Sequence, residues 1–421
     1  MADHEFRSDF ASGNPFKIAA CLNKFRQEHF PEDLRALWPS LESFNPTVVL
    51  AGGISTPKGL LYSFDKTIPY ISVDLQVVLP LSDKAPVGLP KLPFGTNKLW
   101  VSLLLQKATS AMAARKKIIK EVLDIDMDGK YEKPAHYTLF TDIPSFPSPH
   151  FYGVSTTVIT EHPEWPKENF YPCGFFTIGE QRQEQLMKDE SKGYEFGSET
   201  CNELTEFLAA GSPPVYLGWG SIMCNSPQWM VSLALEALQH VGARGVLLGG
   251  WAGLSEAYIP DHLKNFCKKN VIFVSSAPHE WLFPQCSCIV HHGGAGTTAA
   301  SIRSGRPTVI TPVMGDQFDF AAGVNEVGCG IGLRKMSSVR GNTLGDAIKR
   351  CLEEESIIAR AKETGEKLRN EDGCETFCNV FEEWLVHGFA SGEWLRKHEN
   401  LMKKCKESWE AEQRWSFCFC R

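Results

Sequence analysis

Basic charge is in short supply: 43 Lys and Arg stand against 50 Asp and Glu, a net charge of −7 over 421 residues. With no basic stripe, nucleic acid is excluded as the main partner. Long apolar runs are also missing. The nearest approach to a membrane span, 68–81, is broken by Pro69, Asp74, Gln76 and Pro80. The opening Met-Ala-Asp-His-Glu-Phe has no basic region followed by an apolar run, so no leader is expected and the chain reads as cytoplasmic. Fourteen cysteines are present, yet no pair has the two-residue gap of a zinc knuckle. Cys286 with Cys288 and Cys418 with Cys420 are one residue too close. The cysteines therefore read as reduced structural thiols, and no metal site is expected. Internal repeats and low-complexity segments are lacking too.

What is present is the composition of a soluble globular protein, 43% apolar and 22% charged, long enough for two domains. In the first half, a helix is expected around Phe16 to Phe30. Strands are expected at Pro46 to Ala51, Tyr70 to Val73, Tyr137 to Phe140 and Val154 to Ile159. A long helix over 96–123 places Val101, Leu104, Leu105, Ala108, Met112 and Ile119 on one face. That face packs on a sheet or, in the alternative reading, makes peripheral membrane contact. Residues 177–200 are polar and charged, a linker by composition. Beyond it, strands at Val215, Gly245, Val271, Cys288 and Thr308 alternate with helices, which means a parallel sheet. Ser226 before Pro227 is a candidate N-cap. The expected division is 1–176, an incomplete first domain; 177–200, linker; 201–388, second domain; and 389–421, a helical tail. The fold class is α/β, with two facing Rossmann-like halves.

Chemistry concentrates in the second half. The strand Cys288 to His291 runs into His292-Gly-Gly-Ala-Gly-Thr-Thr298, a glycine turn that opens a helix. Glycines admit a ligand close to the backbone, and the unpaired N–H groups of a helix start suit a phosphate. The next strand delivers Asp316 and Gln317 at its carboxyl end, the edge where open α/β sheets bind ligands. Phosphate first and sugar hydroxyls second is the order of a sugar-nucleotide site. His291 reads as structural, and Trp281 and Phe283 as core.

With Pro278-His-Glu-Trp-Leu-Phe-Pro284, Gly218-Trp-Gly-Ser221, Gly249-Gly-Trp-Ala-Gly253 and Gly315-Asp-Gln317 in the same order, the chain resembles the UDP-glucose:sterol 3-β-glucosyltransferases. These are inverting glycosyltransferases of the two-Rossmann-domain GT-B fold, in glycosyltransferase family 1. The resemblance implies UDP-glucose as co-substrate, a sterol or other lipophilic acceptor, and no metal or other cofactor. It implies that His292, the Gly294, Ala295, Gly296 and Thr297 amides, and Ser221 face the diphosphate. Ser276, Ala277 and His279 would line the uracil, and Asp316 and Gln317 would hold glucose hydroxyls. Phe318-Asp-Phe320 stands where the sterol branch usually has a Trp shortly after the Asp-Gln pair. The family's opening strand and Gly-x-x-Gly-Asp loop have no counterpart, so the first domain is expected to be truncated. The catalytic base is unassigned, with Asp142, Glu161 and His162 as weak candidates. A donor-binding protein without transfer is the alternative.

Overall fold

The computed structural model describes residues 15–77, 79, 81–84, 91–97, 99, 116–125, 147–179, 182, 183, 185, 201–222, 224–404 and 407. The chain divides into two compact units. One takes Ala19–Gly153, Glu161–Cys173 and Glu375–Arg421; the other takes Met1–Ile18, Val154–Thr160 and Gly174–Cys374.

The first unit is built on a four-stranded parallel sheet of β1 (Val49–Ala51), β2 (Tyr70–Asp74), β3 (His150–Tyr152) and β4 (Phe170–Pro172), in that order. Helix Pro15–Phe44, which belongs to this unit from Ala19 onward, continues through Pro31 and Pro39. The helix expected only around Phe16 to Phe30 thus runs fourteen residues further, to Phe44. The packing explains the difference. Phe30, Leu34 and Trp38, four residues apart, form one buried stripe against Leu60, Leu61, Phe64 and Ile119. Burying such side chains yields about 1.5–3 kcal/mol each, enough to offset about 3 kcal/mol for an interior proline.

The strand expected at Val154 to Ile159 is not formed. Ser155 turns the chain there: its Oγ accepts from the Thr157 N–H (3.1 Å) and its carbonyl from the Val158 N–H (3.1 Å). The strand lies four residues earlier, at β3. The expected strand at 137–140, the helix residues 101–112 and most of the 177–200 linker fall outside the described residues. The expected boundary at 388 is also displaced, since the chain from Glu375 onward groups with the four-stranded sheet. There Phe377 meets Phe151 edge-on at 4.5 Å, and the Trp394 indole N–H donates to Ser148 Oγ at 2.9 Å.

The second unit carries six parallel strands: β5 (Val215–Gly218), β6 (Gly245–Leu248), β7 (Val271–Val274), β8 (Cys288–His291), β9 (Thr308–Ile310) and β10 (Gly330–Gly332). Their order is β10-β9-β8-β5-β6-β7. Both faces are covered, as a parallel sheet requires. Val215, Leu217, Leu247 and Val290 pack on one face with helices Pro227–Val241 and Gly341–Glu353. Tyr216, Val246 and Ile289 face the other way, toward Leu204, Phe283 and Ala300. Trp281 and Phe283 are core side chains of that second face.

Helix Pro227–Val241 shows how local signals fix an element. Ser226 is extended, its side chain accepts from the Trp229 N–H at 3.2 Å, and Pro227 takes the first helical position. Gly242 closes the helix in the left-handed conformation (φ 66°). Ser226→Ala should lower the stability of this unit by about 1 kcal/mol, and Ser226→Asp should leave it nearly unchanged. Urea unfolding followed by circular dichroism measures both; an alanine variant as stable as wild type would disprove the cap.

Candidate functional site

The strand order itself locates a crevice. Numbered within this sheet, the order is that of a doubly wound α/β domain, and the direction of winding reverses between β5 and β8. Ligands bind at the carboxyl ends of the strands flanking such a switch point. Here those ends lead into Trp219-Gly-Ser221 and His292-Gly-Gly294.

The His292 ring fills the space between these two loops. A Cβ on Gly220 would stand 3.3 Å from His292 Cε1, and one on Gly294 would press on Nε2 at 2.5 Å. Gly220 also needs its left-handed backbone (φ 58°). Gly294 thus leaves room for the ring, while Gly220 is favoured by its backbone conformation and is close to the ring. His292 is 9% exposed and its Nδ1 is buried without a hydrogen-bond partner among the described residues. Burial lowers its pKa to about 4, so the imidazole is neutral at physiological pH.

Beneath it, His291 is a brace. Its Nδ1 accepts from the Gly293 N–H (3.0 Å), so its proton is on Nε2, which donates to Thr308 Oγ1 (3.0 Å). The Thr308 hydroxyl in turn donates to the Ile289 carbonyl at 3.1 Å. The Trp219 indole N–H donates to Thr311 Oγ1 at 2.8 Å, and the Thr311 N–H donates to the His291 carbonyl at 2.9 Å. Gly293, at φ 93°, lies against Ile310 and the Gln317 backbone, where a Cβ would come within 3.0 Å. The loop after β8 and the loop after β9 are thereby packed together.

Gly294 is the N-cap of helix Ala295–Arg303, and its carbonyl accepts the Thr298 N–H at 2.8 Å. The Ala295, Gly296 and Thr297 N–H groups thus belong to the first turn, which has no intrahelical acceptors. Gly296 is exposed with open space around it. Ser221 is exposed on the neighbouring loop. Asp316 precedes helix Gln317–Val327, and burial pushes its carboxyl up to about 6. Gln317 is buried, and its Oε1 accepts from the Val313 (2.8 Å) and Met314 (3.1 Å) N–H groups. Its oxygen is therefore spent on the loop, leaving the amide NH2 for a ligand. Ser276 and Ala277 are half-buried on the connection after β7. His279 follows them, stacked on Phe283 (4.5 Å between centroids), with Nε2 3.3 Å from the Tyr216 hydroxyl. Burial lowers its pKa to about 4, with the nearby His292 a second cause.

One loop edge thus holds His292, the helix start, Ser221 and the Asp316 loop, with Ser276 and Ala277 on a further connection of the same edge. Sequence reasoning missed Gly220, Gly293 and the Trp219–Thr311 bond. Gly-Trp-Gly-Ser was visible as a motif, but its glycine gains meaning only once β5 and β8 are known to be neighbours. Among the described residues no group of three His, Cys, Asp or Glu side chains could hold a metal ion.

The candidate bases fare differently. Asp142 lies outside the described residues. His162 has both ring nitrogens engaged: Nε2 is 3.0 Å from Asp83 Oδ1, and Nδ1 accepts from the Glu164 N–H at 3.1 Å. It is a loop brace in the first unit, with no lone pair free for an acceptor's proton.

Comparison with known proteins agrees with this architecture. Residues 260–376 match the family described as Erythromycin biosynthesis protein CIII-like, C-terminal domain. A sterol 3-beta-glucosyltransferase of Arabidopsis thaliana is 37% identical over 183 residues, covering 44% of this chain and 29% of that protein. One from Saccharomyces cerevisiae is 31% identical over 231 residues, covering 54% and 18%. The chain spans less than a third of the length of these relatives. The glycosyltransferase of kitacinnamycin has a similar fold (TM-score 0.58, 18% identity, 86% of this chain and 82% of that one). So does CalG4, the calicheamicin glycosyltransferase (TM-score 0.54, 14% identity, 85% and 77%). The fold is thus α/β with two parallel-sheet units, of the GT-B kind. Over about half its length the chain is homologous to sterol 3-beta-glucosyltransferases, as the motifs implied.

The buried imidazoles make stability depend on pH. Between the ordinary value of 6.5 and about 4, the unfolded chain binds protons at His279 and His292 that the folded chain refuses. Their contribution is therefore lost as pH falls through that window. Asp316 acts oppositely: its folded pKa is raised from 3.8 to about 6, so it favours the folded state as pH falls between those values. His291 and His398 are also held neutral by burial, so the imidazoles outweigh the one carboxylate and the fold loses stability as pH falls from 6.5 toward 4. Urea titrations at pH 7 and 4.5 should show wild type losing more stability than His292→Asn. Equal losses would mean that His292 is not held neutral by burial.

Proposed function

We propose that this chain is a glycosyltransferase that moves glucose from UDP-glucose to the 3β-hydroxyl of a sterol, with inversion at the anomeric carbon. One observation carries the donor half of the reading. A neutral, largely buried imidazole stands at a switch-point crevice beside the open start of a helix. That arrangement suits a diphosphate, which accepts hydrogen bonds from both the ring and the first-turn N–H groups. As the sugar–oxygen bond breaks, charge develops on the departing UDP, and donors fixed in advance stabilise it without reorganising. His292, Ser221 and the Gly294–Thr297 turn would supply these donors. Asp316 would accept from sugar hydroxyls; Gln317 has only its NH2 to offer, because its oxygen is engaged. The names of the relatives support glucose as the sugar and a sterol as the acceptor. No metal enters the proposal. Free thiols, seven buried and two exposed among the described cysteines, suit a reducing cytoplasmic setting. Contact with a membrane face, where a sterol would be met, belongs to the same proposal.

A second reading is donor binding without transfer to an acceptor. It is favoured by His162, whose two nitrogens are both engaged, so that this candidate has no lone pair to serve as base.

Calorimetry with UDP-glucose, combined with UDP release in the presence of cholesterol or sitosterol, tests both readings. Wild type should bind, His292→Ala should bind about tenfold or more weakly, and release should require sterol. Binding without sterol-dependent release would select the second reading, and no UDP-glucose binding by wild type would end both.

Asp316 gives an independent check. Below about pH 6 its carboxyl holds a proton and loses acceptor capacity. The preference for UDP-glucose over UDP should fall as pH drops through that value, and Asp316→Asn should show the low preference at every pH. A preference in Asp316→Asn equal to wild type at pH 7.5 would remove Asp316 from the sugar site.

A further inference from the structure

The connections at the carboxyl edge of the six-stranded sheet carry two tryptophans, Trp219 and Trp251. Trp219 is fully buried beneath the site, whereas Trp251 is 90% exposed. An indole left in water on a surface loop forgoes its apolar contacts, yet this loop is firmly held. The Ala252 N–H donates to the Gly220 carbonyl (3.2 Å), and the Gly250 N–H donates to the Ser275 carbonyl (3.3 Å). Within the turn, Leu254 donates to Gly249 (3.3 Å) and Gly253 to Gly250 (3.2 Å). Gly250 adopts φ 50°, and a Cβ there would stand 3.1 Å from the Gly220 carbonyl oxygen. Trp251 therefore rises from a rigid turn tied on one side to the loop that flanks His292 and on the other to the residue before Ser276.

The strand order gives this position a direction. Asp316, after β9, lies on one side of the β5–β8 switch point; β6 and β7 lie on the other. A nucleoside diphosphate sugar held by its phosphates at His292, with its sugar toward Asp316, must lay its base toward the β6 and β7 connections. One face of the His279 ring is already taken by Phe283. We propose that Trp251 is the base-stacking residue of the donor site, its indole covering the pyrimidine of the bound nucleotide. This rests on the diphosphate reading of His292. Preorganisation of the turn keeps the entropic cost of stacking low, and every base offers a π-face to such a ring.

The test is the binding of UDP to wild type, Trp251→Ala and Trp251→Phe, by calorimetry and by tryptophan fluorescence. Trp251→Ala should weaken UDP binding about tenfold, the usual loss when a stacking aromatic is truncated. Trp251→Phe should stay within about threefold of wild type, since it keeps a ring. UDP should quench wild-type fluorescence, and the quench should shrink in both variants. An alanine variant that binds UDP as wild type does would overturn the assignment while leaving the His292 reading intact. So would a phenylalanine variant as weak as the alanine one, because the loss would then come from the turn and not from a ring. Wild type that fails to bind UDP at all would overturn the diphosphate reading and the stacking role together.

Discussion

The site depends on two missing carbon atoms. His292 occupies the volume that a Cβ on Gly294 would claim and comes within contact of where one on Gly220 would stand, so its ring sits close to backbone on two sides. Close-packed interiors do not absorb a misplaced methyl group by yielding. The ring's position is thus set by the glycines around it rather than by a hydrogen bond of its own, and this leaves Nδ1 uncommitted. Had a partner fixed the ring, its bonding capacity would be used inside the protein.

Neutrality follows from the same burial. His279, His291 and His292 all have their pKa values lowered, chiefly by loss of water and partly by one another for the first two. Three imidazoles so placed cannot all charge, and each is put to a different use. His291 locks the strand ends through Gly293 and Thr308. His279 packs against Phe283 and meets the Tyr216 hydroxyl. His292 alone of the three combines a buried ring with an unpartnered Nδ1. Sequence proximity made His291 and His292 look alike; the alternation of a strand end sends one ring into the sheet and the other into the crevice.

Much of the second unit was legible because its strands are short apolar runs bounded by glycine and by helix caps, and those signals act locally. Ser226 and Pro227 predicted a helix start that the Trp229 N–H confirms. The glycine turn after β8 marked the helix start to within two residues. The first unit was harder to read. Pro31 and Pro39 signal a stop, yet a buried stripe carries the helix past both. Ser155 hides a turn inside an apolar-looking run. The chain after Glu375 could be assigned to its unit only through contacts with residues more than two hundred positions earlier. In the site, the motifs pointed to His292 and Asp316, but the role of Gly220 and the engagement of the Gln317 oxygen required the strand order and the loop geometry. Tertiary neighbours decide such matters, and spacing along a sequence does not encode them.

The Gln317 side chain has one consequence for how such a site can change. By accepting from Val313 and Met314 with a single oxygen, it fixes the loop on which Asp316 stands without drawing on Asp316 itself. The residue that anchors the loop and the residue proposed to face the ligand are separate, though adjacent. A lineage could therefore exchange the side chain at 316, and on the proposed reading the hydroxyl pattern recognised, while Gln317 and Gly293 keep the two loops where they are. Selectivity is here a replaceable part mounted on a fixed hinge of backbone.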